Sequence, residues 1–142
     1  MDSIQGVELI KADGGVRQAN TVIQNNRYIM YYFSAVWCLG CKFILPKITE
    51  IYESRKRQIP LEIIYVSFDN NKEEMMQCFK DNHGDWLAIP FGSSTIQELK
   101  VRYGVTYVPF IVVLRNDGTI ITTNGKKEVE DLGINVLVTW TD

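Results

Sequence analysis

Phe33-Ser34-Ala35-Val36-Trp37-Cys38-Leu39-Gly40-Cys41-Lys42 is the stretch that decides how this chain is read. Just upstream, Tyr28-Ile29-Met30-Tyr31-Tyr32-Phe33 is an aromatic and β-branched run with the composition of a buried strand. Downstream, Phe43, Ile44, Ile48 and Ile51 recur at helical spacing. The two cysteines therefore stand where a strand hands over to a helix. Three residues apart on that helix, they share one face and can close a disulfide ring without displacing the rest of the chain. Free backbone N–H groups and the positive end of the helix dipole surround the first sulfur, and both favour its thiolate.

Length and composition agree with this reading without choosing it. With 142 residues, 46% of them hydrophobic, the chain can build one core but not two ordinary ones, so a single domain over residues 1–142 is expected. A net charge of −2 with acids and bases interleaved offers no basic stripe for nucleic acid and no polybasic patch for a membrane. Met1-Asp2-Ser3-Ile4-Gln5-Gly6 lacks the layout of a signal peptide, and no apolar stretch approaches membrane-spanning length. The expectation is a monomer in the cytosol or nucleus. Three cysteines in a reducing compartment argue for a redox pair or a metal site over a structural disulfide framework.

Taken in order, Val7-Glu8-Leu9-Ile10 reads as a short edge strand ended by the turn Asp13-Gly14-Gly15, and Val16 to Ile23 fits either a poor helix or a loop. The strand Tyr28 to Ser34 leads into a helix from about Cys38 to Lys56, with a kink expected at the interior Pro46. Gln58-Ile59-Pro60 closes that helix, and Leu61 to Val66 forms the next buried strand, which makes a parallel crossover. A helix from Lys72 to Lys80 would bury Met75, Met76 and Phe79, followed by an apolar loop from Asp85 to Phe91. Ser93 or Ser94 can cap a helix with Ile96, Leu99 and Val101-Tyr103 inward, ending at Gly104. Val108 to Leu114 reads as a strand opening on a proline, and Asn116-Asp117-Gly118 turns it into Thr119 to Thr122 as an antiparallel pair. Val129 to Trp140 carries both periods, with the helical one preferred.

At this point the motifs carry a family resemblance. Trp37-Cys38-Leu39-Gly40-Cys41-Lys42, with Pro46 after it and Val108-Pro109 opening a late strand, resembles the thioredoxin superfamily. Tyr32-Phe33-Ser34-Ala35, Val66-Ser67-Phe68-Asp69, Trp86-Leu87-Ala88-Ile89-Pro90-Phe91 and Tyr103-Gly104-Val105 look like its tryparedoxin and nucleoredoxin branch. The resemblance implies an α/β thioredoxin fold, a central mixed β-sheet flanked by helices, with a cis Val108–Pro109 bond beside the disulfide. It implies a protein-disulfide reductase in which Cys38 attacks the target disulfide and Cys41 resolves the mixed disulfide. Disulfide-containing proteins would be the substrates and an external thiol or reductase the electron donor, with no cofactor bound. Trp37 and Phe68 would wall the site, Leu39 and Gly40 would face the substrate, and the Val108 backbone would pair with an extended stretch of it. In thioredoxin such a motif brings the first thiol to a pKa near ~7 from ~8.5, about 2 kcal/mol, which raises the thiolate fraction at neutral pH from roughly 3% to about half. A second function class implied by the same resemblance is a nucleoredoxin-like, redox-regulated binding module.

Two departures from the family pattern bear on mechanism. Leu39-Gly40 replaces the Pro-Pro of tryparedoxins and the Gly-Pro of thioredoxin. A glycine in the first helical turn costs up to about 1 kcal/mol, or roughly 20 mV, against the ~150 mV that separates thioredoxin from the oxidant DsbA, so this change alone does not set the direction of catalysis. Residues Tyr28 to Phe33 also carry no acid, so nothing in the sequence marks what deprotonates Cys41. Among alternatives, zinc on Cys38, Cys41, Cys78 and His83 has suitable ligand types, but such sites belong in loop-rich segments. Cys78 reads as a half-buried small apolar residue and His83, in a polar stretch, as solvated. Ala35 stands where peroxiredoxins carry threonine, which weakens a peroxidase reading.

Overall fold

The computed structural model describes residues 4–55 and 59–141; the expectations for Met1-Asp2-Ser3, for a helix end at Lys56 and for Gln58 as part of its close fall outside them. Strands β1 (Glu8–Ile10), β2 (Val16–Gln18), β3 (Tyr28–Ser34), β4 (Leu61–Ser67), β5 (Leu87–Ala88), β6 (Phe110–Arg115) and β7 (Ile120–Thr122) form one sheet in the order β2-β1-β5-β4-β3-β6-β7. Strand β3 pairs parallel with β4, Tyr28 opposite Leu61 through Ser34 opposite Ser67, and antiparallel with β6. The sheet is therefore mixed and β3 is interior to it.

All seven residues of β3 are buried. This explains why its sequence is a continuous apolar run and not an alternating one, because both faces of the sheet are covered. Tyr28, Met30 and Tyr32 face one core with Ile44, Ile48 and Ile51 of α2 (Leu39–Ser54), Met75 and Phe79 of α3 (Lys72–Asn82), and the C-terminal helices. Ile29, Tyr31 and Phe33 face the other, with Ala19 and Val22 of α1 (Ala19–Asn25) and Leu99 of α4 (Ser94–Arg102). The period-two alternation of the strand thus assigns each side chain to one helical layer.

Local chemistry sets the helix ends. Asn71 caps α3 by accepting from the Glu74 N–H at 2.8 Å, and of the two candidate serines it is Ser93 that caps α4, accepting from Thr95 N–H at 3.2 Å. Gly104 follows α4 at φ 63°, the left-handed conformation that a glycine adopts without the steric cost of a Cβ. The C-terminal segment is helical: α5 (Gly125–Leu132), a 3₁₀ turn over Gly133–Asn135 and α6 (Val136–Trp140), joined by a bond from Trp140 Nε1–H to Glu128 Oε1 at 2.9 Å.

Several expectations are corrected. Val16 to Ile23 divides between β2 and the start of α1, because Arg17 pairs with Leu9 before Ala19 and Val22 turn inward. The segment from Asp85 to Phe91 contains a two-residue strand, its Leu87 registered against Ile64. Val101 is 71% exposed, because α4 turns Leu99 to the sheet and has no layer outside it.

Gly125 opens α5 against β6, where an added Cβ would lie 2.9 Å from Ile111 Cβ and 3.0 Å from its carbonyl oxygen. Because part of that obstacle is backbone, Gly125→Ala is expected to destabilise the fold by about 1–3 kcal/mol, read as a lower urea midpoint at unchanged m-value.

Candidate active site

Strand β3 ends at Ser34 and the chain crosses to α2 through residues 35–38. Cys38 is the N-cap of α2, with extended backbone (φ −88°, ψ 111°), and its Sγ accepts from the Cys41 N–H at 3.1 Å. A helix N-terminus leaves several N–H groups without helical partners, and here one of them is directed at sulfur. The Sγ atoms of Cys38 and Cys41 are bonded, with Cα atoms 5.3 Å apart, and both residues are buried.

The turn that presents Cys38 is fastened from the neighbouring strand. Asp69, just past the end of β4, accepts from Val36 N–H at 2.6 Å through one carboxylate oxygen and from the Tyr65 and Ser67 hydroxyls at 2.6 and 2.7 Å through the other. Phe68 N–H donates to Ser34 C=O at 2.9 Å, continuing the β3–β4 pairing by one step. Burial, and then the Asp69 carboxylate beside it, push the Tyr65 hydroxyl well above its ordinary pKa, so it remains a donor.

Around the sulfurs, Phe68 and Val108 pack against Ala35, Cys38 and Cys41. The Val108–Pro109 bond is cis, and among the described residues no protein group hydrogen-bonds the Val108 backbone. Gly40 lies under Pro109: a Cβ on it would sit 3.3 Å from Pro109 Cδ. Trp37 and Leu39 are 57% and 66% exposed and flank the pair on its open side, with Phe43 and Tyr107 also exposed near the motif and Val108–Pro109. Lys100 Nζ lies 4.2 Å from the Phe68 ring centroid, a cation held over the aromatic wall. The structure thus gathers Cys38, Cys41, Gly40, Phe68, Val108 and Pro109 tightly and leaves Trp37 and Leu39 at the rim.

Behind Cys41 opens a cavity of about 520 Å³ bordered by Tyr32, Ser34, Cys78, Asn82 and His83, with Lys42 among its lining residues. Burial pushes the Tyr32 hydroxyl up to about 12, opposed by the Ser34 hydroxyl. His83 is not solvated, as its polar neighbours suggested, but sits among Tyr32, Tyr65, Phe79 and Trp86, its ring centroid 4.3 Å from that of Tyr65. Trp86 Nε1–H donates to His83 Nδ1 at 3.2 Å. Burial lowers the imidazole from 6.5 to about 4, with the Asp69 carboxylate opposing it. Cys78 lines the same cavity and is partly buried. Among the described residues, no group of three or more His, Cys, Asp or Glu side chains is arranged to hold a metal ion. Sequence reasoning missed Asp69 as a fastener, the His83 cage and the cavity; the spacing of His83 and Trp86, three apart, was the one signal for the cage.

A thioredoxin-like family model matches residues 25–120. Tryparedoxin of Trypanosoma brucei brucei is 34% identical over 105 residues, covering 71% of this chain and 70% of that protein. Probable nucleoredoxin 3 of Arabidopsis thaliana is 31% identical over 130 residues, and there the match covers 91% of this chain but only 32% of the relative, so the chain spans about a third of that protein's length. The crystal structure of a thioredoxin from Wuchereria bancrofti superposes with a TM-score of 0.85 at 36% identity, covering 96% of this chain and 95% of that one. The architecture is the thioredoxin fold.

Two measurements check the site's energetics. Asp69→Ala strands the Val36 N–H and the Tyr65 hydroxyl, and is expected to cost about 2–4 kcal/mol in chemical denaturation. The lowered His83 means that the unfolded chain binds a proton between pH 6.5 and about 4 that the folded chain does not. Stability contributed by the neutral imidazole is therefore full above pH 6.5 and falls by up to about 3 kcal/mol on acidification to pH 4, and His83→Gln should remove that slope from a plot of Tm against pH.

Proposed function

Since the chain belongs to the thioredoxin-like family, in its tryparedoxin and nucleoredoxin branch, we propose that it is a protein-disulfide reductase whose working group is the Cys38–Cys41 dithiol. The observation that carries this reading is the capping geometry: Cys38 Sγ occupies the N-cap of α2 with a backbone N–H directed at it, which favours the sulfur as an anion. An external thiol first reduces the pair. Cys38 thiolate then attacks one sulfur of a target disulfide, forming a mixed disulfide and releasing the other target sulfur as a thiolate. Cys41 thiolate attacks Cys38, re-forming the internal disulfide and releasing the second target thiolate. Both released thiolates take protons from solvent, and two electrons have passed from the pair to the target.

Recognition on this reading is mostly main-chain. The unengaged backbone of Val108 would accept an extended segment of the target, with Phe68 and Pro109 as the apolar floor and Trp37 and Leu39 as the rim, while Gly40 keeps the motif close under Pro109. A redox-regulated binding module is the second reading, supported by the exposed apolar side chains of Trp37, Leu39, Phe43 and Tyr107. Such a rim can hold a partner as well as pass electrons to it. We place the protein, as a monomer, in a reducing compartment.

Turnover separates the two. Insulin reduction driven by dithiothreitol is expected to exceed background clearly with the native chain and to fall to background in Cys38→Ser. Cys41→Ser should hold targets as thiol-sensitive adducts on Cys38. Background-level turnover in the native chain, with a partner retained in only one redox state, would favour the binding module.

A further inference from the structure

The sequence holds no acid on β3 to assist Cys41, yet the structure opens a cavity of about 520 Å³ directly behind that residue. One polar ring on its wall has a fixed hydrogen-bonding sense. An indole N–H can only donate, so the Trp86 bond requires the His83 Nδ1 to accept. A neutral imidazole has one proton, which must then be on Nε2. The aromatic cage keeps the ring neutral and in place, and among the described residues no protein acceptor takes up the Nε2–H. His83 therefore offers a spare donor, not a base, to the cavity it shares with Cys41.

We propose that His83 is a positioning residue for the resolving step, its Nε2–H donating across the cavity to the Cys41 thiolate, directly or through one water, and so favouring the ionised form of that buried thiol. The inference rests on the dithiol reading above. The Cys41 thiol loses its proton through the cavity to solvent, and its electron pair attacks Cys38 Sγ. The Cys38–Cys41 bond forms as the bond from Cys38 to the target sulfur breaks, with the pair leaving on the target sulfur. His83 keeps its own proton throughout. The other groups facing this space are accounted for. Burial keeps the Tyr32 hydroxyl on β3 protonated, Ser34 on β3, Thr49 on α2 and Asn82 on α3 carry no charge, Cys78 on α3 is a free cysteine, and Lys42 on α2 is an exposed cation. Asp69, beyond β4, is negative and occupied by three donors, so it opposes a second anion.

The test compares His83→Phe, which keeps an aromatic ring in the cage without a donor, with His83→Gln, whose amide can accept from Trp86 and still donate. In the reduced full-length chain with Cys38→Ser, carbon-13 titration of Cys41 should show its pKa raised by about one unit in His83→Phe and close to the unsubstituted value in His83→Gln. A one-unit rise leaves about tenfold less thiolate, offset about threefold by its greater nucleophilicity. With Cys38 present, release of a preformed mixed disulfide on Cys38 should therefore slow by about threefold at pH 7 in His83→Phe only. A measurement that survives any misfolding of the variants is the nitrogen-15 ring spectrum of His83 in the native reduced chain. It should show the Nε2–H tautomer, with the Nε2 resonance moving as Cys41 ionises. An Nδ1–H tautomer, an unchanged Cys41 pKa in folded His83→Phe, or an equal rise in His83→Gln overturns the proposal. None of these readouts depends on insulin turnover, so failure of the reductase reading would register separately.

Discussion

The structure depends on a strand that has no exposed face. Every residue of β3 is buried, its two edges are taken by β4 and β6, and its two faces by helical layers. Each large side chain so enclosed contributes roughly 1.5–3 kcal/mol, which fixes the strand's position far more firmly than the loop that follows it. The chain leaves this enclosure at Ser34 and must begin a helix within a few residues. That exit turns a rigid core element into a support for a reactive sulfur: Cys38 inherits the immobility of β3 on one side and the unpaired N–H groups of α2 on the other.

The two sulfurs then meet different surroundings. Cys38 faces the apolar wall of Phe68 and Val108 and the open rim of Trp37 and Leu39. Cys41, one turn deeper, borders a cavity whose partly apolar wall also carries hydroxyl, amide, thiol and imidazole groups. One dithiol thus has an apolar outer side that suits docking and an inner side where polar groups are set into an apolar wall. Asp69 keeps the sides in register, since its carboxylate ties the turn before Cys38 to Tyr65 and Ser67.

Much of this was legible in the sequence, for physical reasons that can be named. The run from Tyr28 to Phe33 announced a strand buried on both faces, and the cysteine spacing announced the pair, because both signals are local in the chain. The resemblance carried the mixed sheet and the cis Val108–Pro109 bond. What escaped were the features made by distant segments. His83 lies in Lys80-Asp81-Asn82-His83-Gly84, a polar stretch that reads as solvated, yet Tyr32 and Tyr65 from two strands close over it. Asp69 sits in a motif that marked the family without marking its three donors. Val16 to Ile23 was ambiguous because β2 and α1 abut within it, each too short to show a period.

The site is also ordered in time by its position along the chain. Cys38 and Cys41 are synthesised before the wall that encloses them, since Phe68 and Val108 both lie further along the chain. A nascent chain therefore carries its thiols out of the ribosome long before the groups that decide what may touch them. Until β6 joins the sheet, these cysteines lack the wall that screens them, so the reactivity of the protein is synthesised before its selectivity.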